Sequence, residues 1–216
     1  MAKKFASVWS PLALYNALSA CGWGYILLNV IFKYLSLGQP AFFKETKNTV
    51  TLIQCGAIIE ILNSLLGIVR SPIVTTAAQV LSRLLVVIGI FQLLPESENA
   101  QGIPYITLLF AWSITEIVRY LFYFYTLTST TGAPKVLLYL RYNLFWVLYP
   151  TGVASELLII YSSLSWAKIK YGPWFQWTLI GTMLTYIPGL PMLFLHMVAQ
   201  RKKVMKSLRE ESKKQE

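Results

Sequence analysis

Six long apolar runs constrain what this chain can fold into more than any other feature of its sequence. A membrane-spanning helix needs about 20 consecutive, mostly apolar residues. Runs of that kind lie at roughly 12–32, 50–69, 73–94, 103–127, 136–161 and 175–198. Of the 216 residues, 56% are apolar and only 13% are charged, which is too apolar for an ordinary soluble domain. The sequence therefore predicts an all-α, polytopic membrane protein, with residues 1–216 forming one domain built as a six-transmembrane-helix bundle.

Proline marks several of the expected helix ends. In both Ser10-Pro11 and Ser71-Pro72, we expect the serine to cap a helix whose first residue is the proline.

Three other prolines, Pro150, Pro188 and Pro191, fall inside predicted spans. A proline within a helix leaves a backbone carbonyl without its usual donor, and lipid offers no replacement. We therefore expect the fifth and sixth spans to face the bundle interior at these points.

The distribution of Lys and Arg predicts the orientation in the membrane, because cytosolic loops are enriched in these residues. With both chain ends in the cytosol, eleven lie on the inner side and five on the outer side. The inner ones are Lys3, Lys4, Arg70, Lys135 and seven in a basic tail at 199–216, and the outer ones are Lys33, Lys44, Lys47, Lys168 and Lys170. The net charge of +10 does not indicate nucleic-acid binding, because the basic residues are not interleaved with an aromatic face.

The final residues, Lys213-Lys214-Gln215-Glu216, resemble the dilysine retrieval signal of endoplasmic reticulum membrane proteins. Such a signal works only on a cytosolic tail, so it agrees with the predicted orientation. The alternative is a solvated basic tail that has this ending by coincidence.

Tryptophans are expected mostly at the membrane interfaces and on the lipid-facing surface, where their amphipathic rings are favoured. This expectation covers Trp9, Trp23, Trp112, Trp174 and Trp177.

The segment from Arg141 to Glu156 lies in the fifth apolar run but carries several polar groups. Tyr142, Tyr149 and Glu156 are spaced by seven residues, so they fall on nearly one line of a helix. Ionisable groups at membrane depth are costly, and a functional site is the usual reason for them.

Other ionisable residues within the predicted spans are Glu60, Arg83, Glu116, Arg119 and Arg141. Counting along the helices places Glu60, Arg83, Glu116 and Tyr149 at similar depth, with Arg141 nearer the cytosol. Glu116 and Arg119 are three residues apart and could pair directly. Two interpretations stay open for these groups: ion pairs that hold helices together, such as Glu60 or Glu116 with Arg83, or a shell that supports a site.

Glu156 has no arginine at an obvious register, which sets it apart from the other carboxylates. An apolar setting favours the neutral form of an unpaired carboxyl group, and this suits Glu156 to proton transfer near neutral pH. Tyr149 and Glu156 are therefore the candidate catalytic pair, with Arg141 and Tyr142 as candidate supporting residues. Packing alone is the alternative explanation for the tyrosine.

Other chemistries lack their motifs. A cysteine-dependent phosphatase needs an arginine six residues after its cysteine to hold phosphate, and Ile61 occupies that position after Cys55. The chain has a single histidine and no glycine-rich phosphate loop, so no metal and no cofactor are expected.

The sequence resembles the very-long-chain (3R)-3-hydroxyacyl-CoA dehydratase family, also called protein-tyrosine-phosphatase-like. The likeness covers nearly the whole chain and is particularly close to fungal members. It is carried by residues 142–146, Tyr149-Pro150-Thr151-Gly152-Val153-Ala154-Ser155-Glu156, and residues 54–61, 82–83, 111–120 and 188–192.

This resemblance implies a six-span hydro-lyase of the endoplasmic reticulum membrane that converts 3-hydroxyacyl-CoA to trans-2-enoyl-CoA. That reaction is the third step of very-long-chain fatty acid elongation. The family's catalytic tyrosine and glutamate correspond to Tyr149 and Glu156. The implied partners are the 3-hydroxyacyl-CoA substrate, membrane lipid and the other elongation enzymes, namely the condensing enzyme, the ketoacyl-CoA reductase and the enoyl-CoA reductase.

Two functions from other classes use the same polar residues. A transporter of a small amphiphile would need a path open alternately to both sides of the membrane. A non-enzymatic scaffold of a lipid-synthesis complex would depend on the ion pairs but not on Glu156.

Overall fold

The computed structural model describes residues 6–69 and 71–213, and all regular secondary structure within these ranges is helical. The α-helices are α1 (Pro11–Leu28), α2 (Tyr34–Leu37), α3 (Ala41–Cys55), α4 (Ile58–Leu65), α5 (Ile73–Leu84), α6 (Ile103–Thr128), α7 (Lys135–Asn143), α8 (Phe145–Tyr171) and α9 (Pro173–Lys213). Two π-helical segments, Asn29–Lys33 and Leu85–Ile90, extend α1 into α2 and α5 toward the next loop. The all-α prediction is confirmed.

Within the described residues, five helices are long and apolar enough to cross a membrane, so the chain is a multi-pass membrane protein. They are Pro11–Leu37, Ile73–Ile90, Ile103–Thr128, Phe145–Tyr171 and Pro173–Leu208. The predicted count of six is not confirmed, because the run at 50–69 is divided between α3 and α4. The division falls at Gly56 and Ala57, and glycine is one of the weakest helix formers.

The fifth predicted span also differs from a single helix. Helix α7 begins at Lys135, one residue before the predicted span, and passes into α8 through a turn at Leu144. The long helix α8 then continues to Tyr171. As a result, Tyr142 belongs to a different helix from Tyr149 and Glu156.

One of the two predicted serine caps is present. The Ser10 side chain accepts a hydrogen bond from the Ala13 N–H at 3.4 Å, with Pro11 as the first helical residue. The prediction for Ser71 is wrong, since the residue that precedes α5 is Pro72 and makes no side-chain cap. Ser71 instead donates its hydroxyl to the Ser64 hydroxyl at 3.0 Å, which ties the end of α4 to the start of α5.

The long helices α1, α6, α8 and α9 pack in antiparallel pairs. Tyr15 and Trp23 of α1 contact Tyr120 and Trp112 of α6, at ring-centre distances of 5.8 and 6.2 Å. Hydrogen bonds between hydroxyl groups align α6 with α8, such as the one between Thr107 and Ser155 at 2.7 Å.

Both described chain ends lie at the same end of the bundle. The Ala6 N–H donates to the Leu127 carbonyl at 3.0 Å, near the end of α6. Far along α9, the Arg201 Nε donates to the Asn143 side chain at 2.9 Å, near the start of α8. Lys3, Lys4, Arg70 and Lys214–Glu216, on which part of the orientation and retrieval argument rests, lie outside the described residues.

An aromatic core closes the opposite end of the bundle. Phe43 and Tyr105 have ring centres 5.0 Å apart, and Phe91 lies 5.7 and 5.1 Å from these two rings. The Tyr105 hydroxyl is satisfied by the Thr46 hydroxyl at 2.9 Å, so the buried ring carries no unpaired polar atom.

The prolines within α8 and α9 do not face the interior. Pro150, Pro188 and Pro191 are all exposed, which contradicts the expectation from the sequence. Each helix continues through its proline with the ring on the outer face, where the ring displaces no packed side chain.

The aromatic core predicts where the bundle is most sensitive to truncation. Phe43→Ala removes a ring that is 1% exposed, and we expect the free energy of unfolding to fall by about 3 kcal/mol. Phe32→Ala is the matched control, because that ring is 68% exposed on the surface that meets lipid. Thermal unfolding in detergent micelles measures both, and equal losses would contradict this account of the core.

Candidate active site

Four charged side chains form an ion cluster between α4, α5 and α6. Arg119 donates to both Glu60 oxygens, at 2.7 and 2.6 Å, and its Nε donates to Glu116 at 2.7 Å. Arg83 donates to the other oxygen of Glu116. Two arginines thus neutralise two glutamates, which is the arrangement that makes charge tolerable at membrane depth. We call Glu60, Arg83, Glu116 and Arg119 the ion cluster.

Two tyrosines complete the hydrogen bonding of the ion cluster on the side of Glu60. The Tyr15 hydroxyl donates to Glu60 Oε1 at 3.3 Å, and the Tyr120 hydroxyl donates to the same oxygen. The Arg119 guanidinium also lies 4.4 Å from the Tyr120 ring centre. Since Tyr15 belongs to α1, the ion cluster and its two tyrosines together connect four helices.

Part of this pairing agrees with the sequence. The direct contact of Glu116 with Arg119 and the pairing of Glu116 with Arg83 are both present. Glu60 pairs with Arg119 rather than with Arg83. The ion-pair interpretation therefore describes these residues well, and a role for them in supporting chemistry stays a prediction.

Glu156 is the buried carboxylate that stands apart from the ion cluster. It lies on α8 and is 8% exposed, and no salt bridge to it occurs within residues 6–69 and 71–213. Its Oε1 accepts the Trp112 indole N–H at 2.8 Å, and its Oε2 accepts the Tyr186 hydroxyl. Neutral donors from α6 and α9 therefore hold this carboxylate on either side of α8.

Tyr149 lies two helical turns before Glu156, about 10 Å along the α8 axis. It is partly exposed, and its ring lies 6.2 Å from the Phe194 ring of α9, tilted by 32°. The structure thus brings Tyr149 and Glu156 to the same α8–α9 interface without direct contact.

The ion cluster and Glu156 are connected through one side chain. The Arg83 guanidinium lies 5.4 Å from the ring centre of Trp112, and the Trp112 N–H is the donor to Glu156. A cation over the indole face and a carboxylate at its N–H are both favourable for the ring's charge distribution. Polar contacts therefore run without interruption from Tyr15 to Tyr186.

Arg141 and Tyr142 are not brought into this arrangement. Arg141 lies on α7, where its guanidinium packs 4.5 Å from the Phe122 ring centre and donates to the Tyr123 hydroxyl at 3.2 Å. Tyr142 is partly exposed on the same short helix. Their place at the end of the bundle leaves both as candidate contacts for the outer part of a substrate.

Sequence reasoning missed two residues that contact Glu156. The expectation of an interfacial or lipid-facing position is wrong for Trp112 and for Trp23, which are only 3% and 2% exposed. Trp112 lies one helical turn before the buried Glu116, and this position was the available signal. Tyr186 belongs to the last span, and only the tertiary packing of α9 on α8 shows that it reaches Glu156.

Comparisons with known proteins agree on one family. The family described as Protein tyrosine phosphatase-like protein, PTPLA, matches residues 54–207. The very-long-chain (3R)-3-hydroxyacyl-CoA dehydratase hpo-8 of Caenorhabditis elegans is 38% identical, over 92% of this chain and 96% of its own length. The dehydratase PASTICCINO 2B of Oryza sativa subsp. japonica is 38% identical over 90% and 92% of the two chains. Human very-long-chain (3R)-3-hydroxyacyl-CoA dehydratase 2 is 35% identical over 94% and 83%. No solved structure matches the chain.

The ion cluster predicts a large penalty for leaving its carboxylates without a cation. Arg119→Met removes the side chain shared by Glu60 and Glu116, and we expect a loss of about 3–5 kcal/mol in the free energy of unfolding. Adding Glu60→Gln restores the charge balance and should recover part of the loss. Lys206→Met, in an exposed and loose pair with Glu210, is the control and should change stability by less than about 0.5 kcal/mol. Thermal unfolding in detergent compares the variants, and a similar small change in all of them would contradict the role of the cluster.

Proposed function

The chain belongs to the protein tyrosine phosphatase-like family, PTPLA, and we propose that it is a very-long-chain (3R)-3-hydroxyacyl-CoA dehydratase. The curated relatives that cover most of its length carry that name. The observation that supports this activity most directly is the state of Glu156. It is a buried carboxylate without an ion-pair partner in the described part of the chain, two turns from Tyr149 on the same helix.

Dehydration of a 3-hydroxyacyl-CoA removes a proton from C2 and a hydroxyl group from C3. In the proposed reaction Glu156 takes the C2 proton, and the electron pair of that C–H bond forms the C2–C3 double bond. The C3–O bond breaks, and Tyr149 donates its proton to the departing hydroxyl, which leaves as water. Loss of a proton from Glu156 to solvent and uptake of one by Tyr149 would restore the starting state.

The opposite assignment of acid and base gives the same overall reaction. A protonated Glu156 would then donate to the leaving hydroxyl, and an ionised Tyr149 would take the C2 proton. The apolar setting and neutral donors around Glu156 are compatible with both assignments. Both require the reacting carbons to lie between the two side chains, at the α8–α9 interface.

The name of the family does not extend to phosphatase chemistry in this chain. Ile61 stands six residues after Cys55, where a phosphatase loop needs arginine. Cys55 is a free, partly exposed thiol at the end of α3. We therefore assign the catalytic role to the α8 residues.

We place the CoA part of the substrate at the end of the bundle that holds both described chain ends. Lys135 and Arg141 lie there on α7, and a cavity of about 340 Å³ is lined by Lys135, Val136, Tyr139 and Leu208. Basic side chains are the usual partners of phosphate groups. Lys135 precedes Tyr149 by fourteen residues, about 20 Å along the helices, so the pantetheine arm would run inward from this end.

The proposed location is the endoplasmic reticulum membrane, with both chain ends in the cytosol and residues 199–216 as a basic cytosolic tail. The excess of Lys and Arg at the end of the bundle that holds α7 and the last turns of α9 supports this orientation. The other enzymes of the elongation cycle are the proposed protein partners, since they make the substrate and use the product.

The catalytic pair predicts a large loss of activity without loss of folding. Tyr149→Phe and Glu156→Gln each remove one proton-transfer group, and we expect kcat/KM to fall by about 10²- to 10⁴-fold. The measurement is enoyl-CoA formation from a very-long-chain 3-hydroxyacyl-CoA by purified protein. Glu96→Gln, in an exposed pair with Lys170, and Tyr161→Phe, on the exposed face of α8, are the matched controls and should keep full activity. Full activity in both catalytic variants would remove the proposed pair.

The orientation predicts which loops reach the lumen. A glycosylation acceptor tag, inserted with flexible spacers at Glu98, an exposed residue of the loop before α6, should be modified in microsomes. The same tag at either chain end should stay unmodified. The reverse pattern would contradict the proposed orientation.

A further inference from the structure

The contacts around Glu156 assign a role to a residue outside the Tyr149–Glu156 pair. We propose that Tyr186 of α9 is a positioning residue, which fixes the Glu156 carboxylate for proton transfer while Trp112 holds its other oxygen. This inference rests on the proposed dehydratase function and deepens it.

Two donors on two oxygens restrict the carboxylate in a way that one donor cannot. Trp112 Nε1 donates to Oε1 at 2.8 Å, and the Tyr186 hydroxyl donates to Oε2. The donors belong to α6 and α9, which pack on different sides of α8, so they fix both the rotamer and the plane of the carboxylate. An ionised carboxylate has about four acceptor positions, and a second position on each oxygen stays free for substrate.

The two donors are themselves held firmly. Trp112 is 3% exposed, between the Trp23 ring at 6.2 Å and the Arg83 guanidinium at 5.4 Å. Tyr186 is partly buried and packs against buried apolar residues at the α8–α9 interface. Catalysis gains most from groups whose geometry is already correct before the substrate arrives.

Tyr149 does not contact Glu156, so another residue must orient the Glu156 carboxylate. The two residues are two turns apart, and helical side chains lean toward the N-terminus of their helix. Tyr149 leans toward Phe194, and Glu156 depends on neighbouring helices for its orientation. Tyr186, on α9, therefore donates to Glu156 the hydrogen bond that Tyr149 does not provide.

The test is steady-state kinetics of Tyr186→Phe, which keeps the ring and removes only the hydroxyl. We expect kcat to fall by about 10- to 100-fold, the range for one hydrogen bond to a charged group, with KM changed by less than about threefold. Tyr161→Phe, a tyrosine that is 66% exposed on α8, is the control and should leave both constants unchanged.

A second background separates positioning from loosening of α9. Glu156→Asp keeps a carboxylate but withdraws it from Tyr186, so Tyr186→Phe should lower kcat by less than about threefold in that background. Equal loss in the wild-type and Glu156→Asp backgrounds, or a rise in KM with constant kcat, would overturn the proposal. If wild-type protein forms no enoyl-CoA, the proposed function fails instead. If Glu156→Gln is inactive while Tyr186→Phe is fully active, only the role of Tyr186 fails.

Discussion

The contacts of Arg119 with Glu60 and Glu116 are the interaction on which the rest of the bundle depends. A guanidinium has five donors in a rigid fork, and here three of them bind two carboxylates from two helices. Each carboxylate alone would be expensive at membrane depth, and each becomes tolerable only through this side chain and Arg83. The long side chains of the ion cluster therefore link α4 and α5 to α6 and neutralise these charges at the same time.

Charge balance within the ion cluster explains how Glu156 can remain free of an ion pair within the described residues. Arg119 pairs with both Glu60 and Glu116, Arg83 pairs with Glu116, and neither forms a salt bridge with the third carboxylate. The Trp112 ring lies between Arg83 and Glu156, with the Arg83 guanidinium over its face and its N–H donated to Glu156. The same residues thus stabilise the bundle and leave Glu156, the proposed proton-transfer group, held by neutral donors.

Local patterns in the sequence predicted several features that depend on one helix at a time, although the Ser71 cap and the facing of the prolines were wrong. Apolar length predicted a multi-pass, all-α membrane protein, and a spacing of three predicted the contact of Glu116 with Arg119. The break at Gly56 was missed because hydropathy averages over a single glycine. The contacts of Glu60 with Arg119, and of Tyr186 with Glu156, join residues that are distant in sequence. The pattern of residues along one helix does not show how that helix is aligned with another.

Helix α9 is the least buried of the five candidate spans, with only 6% of its most apolar stretch buried, yet it contacts both proposed catalytic residues. Tyr186 binds Glu156, and Phe194, eight residues further along α9, packs against Tyr149. Because α8 and α9 are antiparallel, the distance between these two contacts on α9 matches the distance between Tyr149 and Glu156 on α8. Pro188 and Pro191 lie between Tyr186 and Phe194 with their rings on the outer face. Any bend that these prolines impose changes the separation of the two contacts, so the course of α9 affects how both proposed catalytic side chains are held.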